Sequence, residues 1–166
     1  MKTKYHLPLE DQMFFFQTIE KIINTPDFKK LKQYRHHGNI TTYSHVIKVA
    51  YMSYCYAIKH QYRIQKKELL RAALLHDLYF YDWHDKHNGV HLHGLFHPKT
   101  AVKNAQQLYH ITAREKRHMI HHMFPLTLLP PTTKEGWIIC IFDKIAALSD
   151  YKAIKLKKKA KKRLKK

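Results

Sequence analysis

Between residues 9 and 150, apolar side chains recur every three to four positions with polar faces between them, the period of amphipathic helices. The pattern predicts about seven helices. The first is an amphipathic stretch from Leu9 to Asn24. Thr25, Pro26 and Asp27 then read as an N-cap, a first-turn proline and an acid matched to the helix dipole, opening a helix to about His36. HHGNITT reads as a loop around Gly38. From Thr42 to Lys59, Val46, Val49, Ala50, Ser53 and Ala57 fall on one helical face. Lys66 to Leu78 is short and strongly apolar. From Tyr79 to His97 the period is lost in a stretch rich in aromatics and histidine, and a break of this length in a compact domain is usually functional or mobile. Pro98 suits the first turn of a helix to Tyr109. Thr112 with Glu115 makes a capping box for a helix to Met123. Phe124 to Pro131 is a proline-bounded loop, and Thr132 with Glu135 makes a second box, opening a helix through Asp150.

Composition narrows the fold. With 4 glycines and 6 prolines in 166 residues, the turns that a barrel or sandwich of short strands needs are missing. The expectation is all-α: a compact single-domain helical bundle over residues 1–150, followed by a Lys-rich tail over 151–166. Two cysteines, Cys55 and Cys140, cannot make a disulfide framework and sit in apolar runs, so they read as buried free thiols. The start, MKTKYHLPLEDQ, is charged where a signal peptide needs an apolar run, and no stretch is long enough to span a bilayer. A cytoplasmic setting is expected.

Charge adds a partner class. The net charge is +19, and the tail holds ten of the 31 basic residues and none of the 12 acids, which leaves +9 on residues 1–150. Such a field concentrates anions, whether phosphates, RNA or acidic headgroups, without choosing among them.

The chemistry lies where polar groups occupy apolar faces. Asp143, in IICIFDKIAAL, has Ile139, Cys140, Ala146 and Ala147 as helical neighbours. An unpaired carboxylate there costs several kcal/mol, so it is a helix-boundary residue, a buried salt bridge or a metal ligand. His76 shares a face with Leu69, Ala72 and Ala73, and Asp77 one with Leu70, Ala73 and Leu74. His45 stands one turn before Val49 and, read alone, is more often a satisfied core histidine than a ligand. His121 and His122 point about 100° apart on a helix, so both ligate only if they straddle one cavity; His118, one turn earlier, is a rival. Two buried acids among buried imidazoles invite a divalent cation.

The order His45, His76-Asp77, Asp143 resembles the HD superfamily of phosphohydrolases, in which a His, a His-Asp doublet and a distant Asp from separate helices hold one metal. LLHD, HPKTAVKNA and FDKIAAL match its local context, over roughly Thr41 to Leu148. The resemblance implies that His45, His76, Asp77 and Asp143 bind a first ion. Asp77 then bridges to a second, held by His97, His121 and His122, the extra ligands of binuclear members. His93 competes with His97, which is preferred because Pro98 follows it. The activity implied is hydrolysis of a phosphate ester or anhydride, with a nucleotide as the expected substrate. One or two divalent transition-metal ions are implied, and an imidazole–carboxylate set does not choose among Fe, Mn, Zn, Co and Ni.

The sequence also departs from the family. Tyr79 and Phe80 stand where many members carry Gly and then Lys or Glu, which removes the usual group for protonating or steering the leaving group. Asp82 and Lys99 are the candidates to replace it, and Lys99 and Lys144 are candidate phosphate contacts. MFPLTLLPP follows His121-His122 with no Gly-Tyr-Pro, against a cyclic-dinucleotide phosphodiesterase of that type. Trp83 and its neighbouring tyrosines suit either base stacking or packing. Two other functions compete: an HD-fold nucleotide-binding or regulatory module with little turnover, and an association with RNA or an anionic surface through KLKKKAKKRLKK, whose alternative is a solvated charge run.

Overall fold

The computed structural model describes residues 7–85, 87 and 92–163, the side chains of 157–163 excepted. Its element order is α1 (Leu9–Ile23), α2 (Pro26–Lys29) prolonged by a 3₁₀ turn (Lys30–Gln33), β1 (Arg35–His37), β2 (Ile40–Thr41), α3 (Thr42–Lys59), α4 (Lys66–Leu75), α5 (His93–Tyr109), α6 (Ala113–Ile120) and α7 (Lys134–Arg163). The fold is all-α, with one antiparallel hairpin, β1–β2, as its only sheet among the described residues.

The centre is α4. Leu69, Leu70, Ala72, Ala73, Leu74 and Leu75 are all shut off from solvent, so from Leu69 on this helix is apolar over most of its circumference, Arg71 excepted, and must lie inside. Each of its four leucines stabilises the fold by roughly 2 kcal/mol. Around it, α3 packs on α4 and α7, and α6 packs on α4 and α7. On α3, the predicted face of Val46, Val49, Ala50, Ser53 and Ala57 is the buried one. Thr41 caps the helix by accepting the Ser44 N–H at 3.2 Å.

Two charged side chains fix the carrier helices against each other. Glu115 closes the predicted capping box with Thr112. Its other oxygen takes the Nε–H of Arg71 at 2.6 Å, while Arg71 also donates to the Tyr109 carbonyl at 2.8 Å. The ends of α5 and α6 are thereby tied to α4. Glu135 accepts the Gln65 backbone N–H at 2.9 Å and ties the start of α7 to the start of α4.

The structure moves several predicted boundaries. Thr25 does cap a helix with Pro26 at its start, but that helix is four residues long. The chain is extended from Tyr34 and reverses through Gly38 at φ +57°, so Arg35–His37 is a strand. Helix α5 begins at His93, placing Pro98 inside it, near enough to the N-terminus that the ring interrupts little of the backbone ladder. Helix α6 stops at Ile120, which leaves His121 and His122 in the following turn. Thr133 rather than Thr132 caps α7, accepting the Gly136 N–H at 3.1 Å, because Glu135 is engaged with Gln65. Finally, α7 does not end at Asp150 but runs unbroken into the basic segment. Its Tyr151 ring meets His37 at 4.4 Å, and Ile154 lies against Gly38. Cys55 and Cys140 are free thiols, the first half-buried and the second buried. Among the described residues no helix is long and apolar enough to cross a membrane.

Candidate metal centre

Six polar side chains from five elements meet where α3, α4 and α7 converge: His45 on α3, His76 and Asp77 just after α4, His97 on α5, His122 just after α6 and Asp143 on α7. All six are buried. The three core helices bring His45, His76 and Asp143 together because those residues interrupt their apolar faces. His45 Nε2 lies 3.0 Å from Asp143 Oδ1, and His76 Nε2 lies 3.6 Å from the same oxygen.

Asp77 divides the cluster in two. Its Oδ2 faces His76 Nε2 at 3.6 Å. Its Oδ1 faces the other way, 3.1 Å from His97 Nε2 and 3.7 Å from His122 Nε2. One carboxylate thus presents one oxygen to each of two groups of imidazoles.

The rings are held with their second nitrogens occupied. Nδ1 of His76 is 2.8 Å from the Ala73 carbonyl, Nδ1 of His97 is 2.9 Å from the His93 carbonyl, and Nδ1 of His122 is 2.7 Å from the Met119 carbonyl. A carbonyl only accepts, so in each ring Nδ1 carries a hydrogen, and whenever the ring is neutral Nε2 turns a lone pair inward. This is the arrangement by which outer partners orient metal-binding histidines. His45 Nδ1 faces Asp150 Oδ2 at 3.7 Å, and Asp150 is itself fixed by Lys48 at 2.6 Å.

The consequence is an electrostatic conflict. His97 Nε2 and His122 Nε2 lie 3.0 Å apart. Burial, with His76 and His97 nearby, pushes His122 down to about 3 and keeps it neutral. Were both rings neutral, their lone pairs would repel at that distance, a conflict that either a proton on one Nε2 or a metal cation between the two relieves. Donors to one transition metal at about 2.1 Å stand roughly 3 Å apart when they flank a right angle. His76 Nε2 and Asp77 Oδ1 are also buried without a hydrogen-bond partner among the described residues. The donor set therefore fits divalent ions: His45, His76, Asp77 and Asp143 around one, and Asp77, His97 and His122 around another.

Protons stand in for part of that charge. Burial lowers His45, but bonding to Asp143 and Asp150 outweighs it and raises the ring to about 9. Burial raises the Asp77 carboxyl, yet His76 and His97 hold it well below the usual range. Burial likewise raises Asp143, and His45 and His76 overturn it.

A cavity of about 510 Å³ opens onto the cluster. Its floor is Asp77, His97, His122 and Asp143. Its wall is Trp83, His93 and His37, with Leu92 and Met123 beside them. Trp83 lies parallel to His93, with centroids 5.1 Å apart and planes 6° apart.

The remaining sequence candidates fall as follows. His121 is half-buried at the C-cap of α6. Adjacent residues on a turning backbone diverge, and only His122 faces inward. His118 turns to the start of α7, with Nδ1 3.1 Å from Thr133 Oγ1. His93 lines the cavity wall and bonds the Tyr81 hydroxyl at 3.0 Å, leaving His97 beside Asp77. Asp82 is half-buried and accepts from the His84 backbone N–H at 3.0 Å, and Lys99 is exposed on α5; neither lines the cavity. Lys144 does line it, and its ammonium donates to the His122 carbonyl at 2.8 Å and the Cys140 carbonyl at 3.2 Å.

Sequence reasoning missed His36. This buried residue on β1 lies with Nε2 3.1 Å from Asp77 Oδ2 and its ring stacked on His45. The available signal was the Gly-Asn turn just after it, which announces a hairpin whose alternation buries every second residue.

Residues 42–148 match the HD domain. No curated protein and no solved structure matches the chain. The matched span holds His45, His76, Asp77, His97, His122 and Asp143 in the order and convergence just described. The chain belongs to the HD domain family, a superfamily of metal-dependent phosphohydrolases whose members bind divalent metals.

Proposed function

We propose that this chain hydrolyses a phosphate ester or anhydride of a small molecule, a nucleotide, at a centre of two divalent ions. The observation that carries the reading is the convergence of His97 Nε2 and His122 Nε2, 3.0 Å apart, beside an Asp77 oxygen. A single-ion site built from His45, His76, Asp77 and Asp143 leaves that pair unused.

In this reading His45, His76 and Asp143 hold the first ion, His97 and His122 hold the second, and Asp77 gives one oxygen to each. Such a pair supplies Lewis acidity toward phosphoryl oxygens and a water ionised near neutral pH. The chain's own residues do the rest. Four imidazoles against two carboxylates leave the bound site cationic enough to accept a phosphate. Lys144, at the cavity edge, turns its ammonium from the two carbonyls toward a phosphoryl oxygen. Trp83 and His93 offer a flat face on which a base stacks, and the cavity volume of about 510 Å³ is within the range of small-ligand sites. Asp82 and Lys99 lie outside the cavity, so protonation of the leaving group falls to solvent or to a residue that substrate binding brings in.

The test is metal analysis of protein purified without chelator, followed by a panel of nucleotides and phosphoesters with added Mn²⁺. Two ions per chain and release of phosphate are expected. Absence of any bound transition metal, with none taken up on dialysis, defeats the proposal. Nucleotide binding without hydrolysis assigns the chain instead to the regulatory modules of this fold.

The basic end of α7 is read as a contact for RNA or another polyanion, because the helix continues to Arg163 through a segment that holds ten basic residues and no acid between 151 and 166. Removing residues 157–166 deletes eight of the tail's ten basic residues and spares Tyr151 and Ile154, which pack on the hairpin. Salt-sensitive RNA retention is expected to disappear while hydrolysis stays. If retention survives the deletion, the contact lies elsewhere.

A further inference from the structure

His36 lies outside the matched residues 42–148, on a strand that the helical ligand pattern does not include, yet it touches the centre as closely as any ligand does. Its Nε2 is 3.1 Å from Asp77 Oδ2. Its ring lies on the His45 ring with centroids 3.6 Å apart and planes 15° apart. It is one of the close His/Asp groups, with His45 and Asp77, and so presents itself first as an extra ligand.

Two observations argue against a ligand. An imidazole gives its lone pair in the ring plane. Rings stacked face to face have lone pairs running side by side, and these do not meet at one ion, so His36 does not join His45 on the first ion. The second concerns the other nitrogen. In His76, His97 and His122, Nδ1 bonds a backbone carbonyl and frees Nε2. In His36, Nδ1 has no hydrogen-bond partner among the described residues, while Nε2 faces a carboxylate oxygen, which can only accept. The proton of a neutral His36 therefore belongs on Nε2, the reverse of a neutral His76, His97 or His122.

We infer that His36 is a positioning residue: it donates Nε2–H to Asp77 Oδ2 and thereby holds the carboxylate turned so that Oδ1 serves the second ion. This deepens the two-ion reading and rests on it. The two ions are unequally exposed to its loss. The first has His45, His76 and Asp143 besides Asp77. The second has only His97 and His122, so it depends on the orientation of Asp77. With the His36 hydrogen bond gone, Asp77 rotates toward the better-populated first site and the second ion loses its carboxylate.

Two variants separate the donor from the ring. His36→Phe keeps a stacked ring without a donor, and His36→Gln keeps an N–H donor at similar reach without the ring. Mn²⁺ titration, with metal content and the electron paramagnetic resonance of the exchange-coupled Mn²⁺ pair as readouts, is run on both and on the unaltered chain, with thermal melts to confirm folding. In His36→Phe the first ion binds as before, the second weakens by about 10–100-fold, the scale of losing an outer-shell partner, and the coupled signal is lost. His36→Gln restores both ions to within a few-fold. Full affinity for the second ion in His36→Phe overturns the inference. So does a His36→Gln protein as weak as His36→Phe, because a ring nitrogen would then be the ligand. Failure of the unaltered chain to bind a second ion defeats the two-ion reading itself, a result distinct from either.

Discussion

The two halves of the metal centre are built differently. The half holding His45, His76 and Asp143 draws on α3, α4 and α7, which pack on one another through the core. Its histidines are fully shielded from solvent, and the side chain of His45 is braced by two carboxylates. The half holding His97 and His122 stands on the second turn of α5 and the turn after α6, beside the cavity. It has fewer ligands of its own and shares Asp77 with its neighbour. The first half is part of the architecture, whereas the second is mounted on its edge, beside the cavity. On the two-ion reading proposed above, a site so divided would bind one ion as a condition of its structure and a second as a condition of its activity.

The strongest test removes the residue that only the core half has. Asp143→Asn is expected to lose the first ion and, through Asp77, the second, with hydrolysis down by about a thousandfold, the scale of losing a principal electrostatic stabiliser. Elemental analysis and phosphate release measure both. Retention of two ions by Asp143→Asn breaks the comparison outright. His97→Ala is expected to bind a single ion and to melt within a degree or two of the unaltered chain. If it loses both ions, the halves are not separable.

Proton competition follows from the raised His45. Its folded value of about 9 stands above the ordinary 6.5. In metal-free protein the protonated ring stabilises the fold fully below pH 6.5, and that contribution is lost as pH rises through about 9. Metal must displace the same proton. The first ion's apparent affinity should therefore rise by up to about tenfold per pH unit until pH 9 and then level off. Calorimetry at several pH values reads the slope, and a flat profile contradicts the protonated state assigned to His45.

Gly38→Ala probes the hairpin that carries His36. At φ +57°, with a new Cβ only 2.5 Å from Ile154 Cδ1, an alanine should destabilise the fold by about 1–2 kcal/mol, read by urea denaturation. The smallest effect is expected for His121→Ala. The residue is next to His122 in the chain but turned from the cluster, so metal content and turnover should stay within twofold. A substantial loss of metal there restores His121 as a ligand.

Much of this was legible in the chain. Apolar periodicity fixes α3 and α4, and Thr112 with Glu115 marks α6, because each signal is local. The acids of the centre are legible for a related reason: Asp77 and Asp143 sit among leucines, isoleucines and alanines where a charge needs a partner. The second half was less legible. His97 was distinguished from His93 only by the proline after it, and His121 from His122 by nothing local. Which of two adjacent rings turns inward depends on α6 stopping at Ile120. The second capping box failed because Thr133 does the capping and Glu135 is drawn to Gln65, seventy residues away.

By itself the sequence determined an all-helical chain with buried imidazoles and carboxylates in the order of the HD family, since periodicity and burial are set by each segment's own composition. Only the tertiary structure decided which nitrogen of each histidine faces inward, how the two oxygens of Asp77 are divided, and that a strand residue, His36, stands against that carboxylate. Those facts depend on distances between groups far apart in the chain, and no local pattern encodes them.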